Sequence, residues 1–488
     1  MARRRRAGWW IGAVAVAVVI GLGIYIFQFL QRNEPELHGN ILEHFKYGSI
    51  GSDTGGSLLR SDTEEGRGVP ASLWLALPVA FPEHLPKGRG NGYERVGFLY
   101  EPGKRRPIGT SFREAPLGQI GLNCAVCHTA TVRESPEAPR RVVLGMPANQ
   151  FDLRSYLNFL RKVGKDERFN ADTLIPAIRK VDPDFSSKDE LIYRHLVIPR
   201  TRTALREIDT QFGWMDRQPL WGPGRVDTFN PYKLRFGIDP ARDASVGTAD
   251  LPTLWNQRPR RGMYLHWDGN NNKVEERNIS AALGAGATQS SLDEPSMKRI
   301  AEWILDAKPP PYPAERIDRS RARRGATVYA QQCAACHAFD GSKVGQVTPI
   351  EAIGTDRERL DSFTPELVPL MNTLGTGRPW RFRHFRKTNG YANMPLDGVW
   401  LRAPYLHNGS VPDLRALLSP KERPKVFYRN YDVYDWERVG FVSQGAEARR
   451  VGFPFDTAKR GNGNGGHLYG ARLSAADKEA LIEYLKGL

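Results

Sequence analysis

Cysteine is scarce in this chain. Its 488 residues contain four, and seven methionines and ten histidines complete the short supply of soft or borderline metal ligands. So few cysteines leave no room for a disulfide framework if they have other work. Acid is also in deficit, with 54 Asp and Glu against 70 Lys and Arg, for a formal charge of +16. Such a surface favours acidic redox partners, anionic lipid or a polyanionic substrate, and no nucleic-acid partner is expected. With 40% hydrophobic residues the chain is not disordered overall, and its length allows two or three domains with a large core.

All four cysteines fall into two short motifs, Cys124-Ala-Val-Cys127-His128 and Cys333-Ala-Ala-Cys336-His337. Two thiols separated by two residues can add to the vinyl groups of a haem while the following imidazole ligates the iron. The expected cofactors are therefore two covalently bound haem c groups, held by Cys124, Cys127, Cys333 and Cys336, with His128 and His337 as proximal metal ligands. No cysteine remains for a disulfide. In bacteria this attachment is made on the outer side of the cytoplasmic membrane.

Arg3 to Arg6 precede an apolar run from Gly8 to Leu30. About 20 apolar residues span a bilayer as a helix, and the arginines stay cytoplasmic. Residues 1–32 thus read as a single-pass signal-anchor in the bacterial inner membrane, N-in, with the bulk of the chain in the periplasm. A cleaved signal peptide is the competing reading, but no small-x-small site precedes Gln31. Residues 33–112 are rich in Gly and Pro and read as a loop-rich wrapping segment, where His38, His44 and His84 are surface or structural.

Residues 113–308 read as a first cytochrome c-type domain. Asp152 to Arg161 and Ser187 to Leu196 show helical periodicity, the second with Ser187 as its expected cap, and Leu292 to Leu305 closes the unit. Lys308-Pro-Pro-Pro-Tyr-Pro313 makes a stiff linker, 309–316. Residues 317–488 repeat the order of parts: a helix from Arg321 to Gln332 with Ser320 as its cap, the second motif, loops, and a closing helix capped by Ser474. Met394 to Trp400 and Ala403 to Ser410 echo Leu251 to Trp255 and Tyr264 to Gly269, as in an internal duplication. The expected fold class is mainly α, with two cytochrome c-type haem domains in tandem.

These residues resemble the bacterial di-haem cytochrome c peroxidase superfamily. The resemblance rests on both haem motifs, on Asp250 to Asn256 with Trp267-Asp268-Gly269, and on Ala403-Pro-Tyr-Leu-His-Asn-Gly-Ser-Val-Pro412. The His266 to Asn271 run and Gly466-His-Leu-Tyr-Gly470 look most like the di-haem rubber-oxygenase branch. The chain also departs from the pattern. Leu414 to Arg423 lacks the methionine of typical peroxidases, Phe236 to Ala249 lacks their removable histidine, and Gly284 to Ser291 lacks their acidic residue. Where the rubber-oxygenase branch has an aromatic near its active haem, this chain offers Ala282 or Leu283. The resemblance implies a late histidine, here His467, as second axial ligand of haem two. It also implies a calcium site at Asp250.

The open chemical question is the face of each iron opposite its proximal histidine. A second strong ligand makes an electron-transfer haem, whereas an open face lets peroxide or dioxygen bind. For haem two the candidates are His384, His407, His467, Met371 and Met394, with His467 preferred. For haem one Met146 and His266 are candidates, and an open or weakly ligated site is expected, lined by Trp255, Trp267 and Asn278 to Leu283. Trp267 is a candidate electron route between haems, and Glu275 and Glu276 are candidate proton-transfer groups. The expected function is a membrane-anchored, peroxidase- or oxygenase-like oxidoreductase. Its electron partner would be a small cytochrome, a cupredoxin or a quinol-linked complex. The alternative is a non-enzymatic electron-transfer cytochrome of a respiratory chain.

Overall fold

The computed structural model of the protein describes residues 20–21, 34–54, 68–88, 90–114, 117–240 and 245–488. Helix accounts for 42% and strand for 12%, so the fold is mixed α/β and the expectation of a mainly α chain is corrected. The strands run from two residues, as in Glu34–Pro35, to five, as in Thr110–Glu114. Segments this short do not display the alternation by which a strand is read from sequence.

A second correction concerns the membrane. Among the described residues no helix is long and apolar enough to cross a bilayer, which takes about 20 consecutive apolar residues. The single-pass inner-membrane anchor expected over residues 1–32 is therefore unsupported. Of its apolar run only Ile20 and Gly21 are described, and the rest lies outside the described residues.

The first half is built around an antiparallel sheet in the order Glu34–Pro35, Thr110–Glu114, Gln119–Leu122 and Val69–Pro70. Its strand Gln119–Leu122 delivers the chain directly into the first cysteine motif. Beside it the helices Leu153–Lys165, Ala171–Val181 and Ile198–Phe212 bury Phe159, Val163, Leu174, Ile178 and Leu205. The helix Ala71–Ala80 adds Leu73, Trp74 and Leu77 to the same core, with Trp74 stacked on Tyr93 at 4.0 Å. Helix starts follow side-chain caps. Asp152 caps Leu153–Lys165, while Ser186 rather than Ser187 closes a capping box with Asp189.

In the second half the helix Arg319–Gln332, capped by Asp318 rather than Ser320, packs on the C-terminal helix Ala475–Leu485, capped by Ser474. Their crossing is close because Gly325 lies against the Ala480 carbonyl, where any Cβ would collide. The two halves share interior: Met146 and Trp255 lie in one cluster with Tyr329, Trp400 and Leu481. Ala125 and Leu254 likewise share another with Phe363, Phe382 and Phe385. Burial of apolar area across this seam, stabilising by roughly 25 cal/mol per Å², holds both motifs in one body.

Candidate functional site

Asn123 organises the first motif. Its side chain accepts from the Ala125 N–H at 2.9 Å, capping the turn Cys124–Cys127, and donates to the carbonyls of Lys46 and Gly48. The turn places Cys124 and Cys127 one helical step apart, ending at His128. All four cysteines are unpaired, and burial pushes the thiols of Cys124 and Cys127 up to about 11 and about 12.

The ring of His128 is held by its far nitrogen. Nδ1 donates to the Pro252 carbonyl at 2.8 Å, which leaves the Nε2 lone pair for a metal. The second motif repeats the device: Nδ1 of His337 donates to the Met394 carbonyl at 2.7 Å. Arg277 stands beside the first of these straps, its Nη2 3.4 Å from the Thr253 carbonyl. Burial and the Arg277 charge hold the His128 imidazole down at about 3, so it stays neutral and ligand-competent.

The faces opposite the two proximal histidines differ. His467 confronts His337 with ring centroids 6.2 Å apart and planes inclined by 46°. Two imidazoles trans on one metal, each bonded at about 2 Å, place their centroids roughly 6 Å apart. Burial and the neighbouring His337 hold His467 down at about 4, again neutral. Among the described residues no ring faces His128 in this way. His467, Cys333, Cys336 and His337 thus fit a haem with two imidazole ligands, and Cys124, Cys127 and His128 fit one with a single imidazole.

The other candidates have different employment. Met394 spends its carbonyl on the proximal side of His337. Met371 is 1% exposed among Phe363, Leu367 and Phe385, and Met146 is fully buried beside Trp255 and Val143. His407 stacks on Tyr391 at 4.1 Å. Nδ1 of His384 lies 2.5 Å from Glu276. His266 has Nδ1 on Asn270 Oδ1 at 2.6 Å and Phe385 stacked at 6.2 Å.

The duplication read from sequence is visible as two matching loops. Leu265 bridges Asn271, and Tyr405 bridges Val411. The second and fifth residues of each loop have positive φ: His266 at 62° and Gly269 at 65°, Leu406 at 68° and Gly409 at 62°. Trp267 therefore corresponds to His407. Its indole N–H donates to the Asp250 carbonyl at 2.8 Å, its own carbonyl accepts from Ala392, and its ring packs near Ile350, Leu360 and Tyr391. Glu276 is buried and accepts from Asn271 Nδ2 and from the N–H groups of Arg383 and His384. Glu275 faces solvent in a 3.4 Å ion pair with Arg261.

Asp250 does not fit calcium. Its carboxylate lies 2.8 Å from Arg429 and 3.8 Å from Arg225, so two buried guanidiniums already supply the positive charge. Sequence reading missed both arginines, and also Arg423, because a single basic residue at the end of a short strand or in a loop carries no spacing signal.

Comparison with known proteins agrees with this chemistry. Residues 390–428, which include the Met394 strap and the His407 loop, match the family described as RoxA-like, cytochrome c-like. That match relates the chain to di-haem rubber-oxygenase-like cytochromes c, implies covalently bound haem c, and marks a haem-containing oxidoreductase. The uncharacterised protein y4iJ of Sinorhizobium fredii (strain NBRC 101917 / NGR234) is 26% identical over 81% of each chain. The uncharacterised protein y4iM of the same organism is 31% identical, over 55% of this chain and 71% of its own length. With that identity and coverage, joined to paired cysteine motifs and anchored proximal histidines, the chain belongs to the family of y4iM and carries a RoxA-like cytochrome c region.

Proposed function

We propose that the protein is a di-haem oxidoreductase of division-of-labour type, in which the first centre activates peroxide or dioxygen and the second relays electrons to it. The observation that carries this reading is the asymmetry between the centres: His337 has His467 opposite it at 6.2 Å, and among the described residues His128 has no ring opposite. When bound, haem supplies the redox-active iron, and the number of protein ligands decides whether it transfers electrons or admits a substrate.

The chain's own residues contribute position, charge and protons. Pro252 and Met394 hold the proximal imidazoles in one tautomer. Cys124 packs against an apolar cluster that includes Leu254, Ala282, Leu283, Phe382 and Phe385. Trp267 joins the halves through Asp250 and Ala392, a position suited to an electron route between them. Glu276 and His384 form a 2.5 Å pair running from the interior to a partly exposed imidazole, a layout suited to moving a proton inward. A small electron-donor protein is the partner this arrangement calls for.

Low-temperature electron paramagnetic resonance on the oxidised protein tests the proposal. One high-spin and one low-spin ferric haem are expected. Two low-spin haems would overturn the open first centre and favour a simple electron carrier.

A further inference from the structure

We propose that Arg225, a residue of the first half, is a positioning residue for His467 in the second half, so that the packing of the halves sets the second axial ligand. The inference rests on the reading of His467 as that ligand. Three imidazoles are involved in holding iron under that reading, and they are oriented differently. His128 and His337 each have Nδ1 on a carbonyl. The Nδ1 of His467 is buried with no hydrogen-bond partner among the described residues. No bond on the ring therefore fixes its direction, and the main chain has to do so.

That main chain is intrinsically loose. Gly461-Asn-Gly-Asn-Gly-Gly466 leads straight into His467, and glycine-rich chain gives up more conformational freedom on ordering than any other. His467 itself sits at φ 47°, a region unfavourable for a side-chain-bearing residue. Yet nearly every step of the arm is tied down. Asn408 Nδ2 donates to the Gly463 carbonyl at 2.9 Å and Ser410 Oγ to the same oxygen at 3.0 Å. The Gly463 N–H donates to Asp356 at 3.1 Å. Arg423 donates to the carbonyls of Asn464 and Gly466 at 2.6 and 2.9 Å, and the His467 N–H to Ile353 at 2.7 Å. The His-Asn-Gly-Ser segment thus acts through its amide and hydroxyl as a cradle for the ligand arm.

All of those ties come from the second half. Arg225 is the exception: Nη1 donates to Asn462 Oδ1 at 2.9 Å and Nη2 to the Gly461 carbonyl at 3.2 Å, at the root of the arm. Its guanidinium is 1% exposed, lies over Phe455 at 4.9 Å, and is balanced by Asp250, whose carbonyl holds the Trp267 indole. Arg225 therefore joins the strand Arg225–Asp227 and the Trp267 loop to the segment that presents His467.

Two variants of the full haem-loaded protein test this. Asn462→Ala removes the side-chain acceptor, together with the Nδ2 donation to the Asp456 carbonyl at 3.0 Å, while Arg225 keeps its bonds to the Trp221 and Gly461 carbonyls, so no charge is stranded. Asn462→Asp, which keeps the acceptor and loses only the donation to Asp456, should behave as wild type. Arg225→Gln removes the clamp itself, and Asn462→Ala decides the matter if that variant fails to fold. The readouts are carbon monoxide binding to the reduced second haem and the low-spin ferric signal. At least tenfold faster carbon monoxide binding at the second haem, with partial loss of its low-spin signal, is expected in Asn462→Ala. Wild-type binding and spectrum in a variant with full haem content would overturn the proposal. If His467→Ala leaves the low-spin signal intact, the axial assignment beneath it falls instead.

Discussion

His337 and His467 face one another across 6.2 Å between ring centroids, and among the described residues only the first of them finds a hydrogen-bond partner for its outer nitrogen. An imidazole with an anchored Nδ1 is oriented and made more basic, whereas one without it is the easier to displace. The two facing imidazoles are therefore unequal by construction, and under the proposed ligation the arm that carries His467 is the sensitive part of the site.

Gly466 is the residue where that sensitivity is greatest. It has φ 72°, and an added Cβ would strike the main chain of Gly354 and Thr355. Gly466→Ala should cost about 1–3 kcal/mol and move His467 off its partner. Denaturant unfolding and the low-spin ferric signal should both register the change, and an unaltered signal would show that the arm tolerates displacement.

Calcium removal should have no effect. Asp250 is charge-compensated by Arg429 and Arg225 rather than by an ion. Dialysis against a chelator should leave the melting temperature unchanged. Asp250→Ala, which strands two buried guanidiniums, should destabilise the protein by about 3–5 kcal/mol. A chelator-sensitive melting temperature would contradict the assignment.

Acid should weaken the fold partly through His407. Its imidazole is buried against Tyr391, and burial, then the charges of Arg359 and Arg225, hold it well below the usual 6.5. The folded state refuses a proton that the unfolded chain accepts below about 6.5, so stability is complete above that pH and declines below it. The slope for one such group is at most about 1.4 kcal/mol per pH unit. Unfolding midpoints at pH 7.5 and 5.5 should differ less in His407→Gln than in the unsubstituted protein.

Gly325→Ala should pry apart the helices Arg319–Gln332 and Ala475–Leu485, since its Cβ would occupy the place of the Ala480 carbonyl. Overpacking at such a crossing costs about 1–3 kcal/mol. The loss should appear in thermal unfolding, and a neutral result would mean the helices slide without penalty.

Much of the site was legible because its chemistry is local. The cysteine motifs need only a spacing of three and an adjacent imidazole, and a helical turn delivers that wherever it occurs. Ser474 announced a helix start for the same reason, whereas Ser187 and Ser320 were each overtaken by a neighbour able to reach the open N–H groups. The strands were not legible. Some pair over tens of residues, as Arg225–Asp227 does with Thr248–Asp250, and even in a local hairpin such as Thr110–Glu114 with Gln119–Leu122 two to five residues leave too little alternation to read.

The sequence by itself determined that two cysteine pairs with adjacent histidines exist, that a short loop pattern recurs in both halves, and that His467 follows a glycine-rich arm. Only the tertiary structure decided that His467 confronts His337, that Pro252 and Met394 hold the proximal rings, and that Asp250 is claimed by Arg225 and Arg429. The reason is physical: covalent attachment depends on neighbours in the chain, whereas the facing imidazole and the charge partners depend on which buried surfaces meet, and that is settled by packing across the seam between the halves.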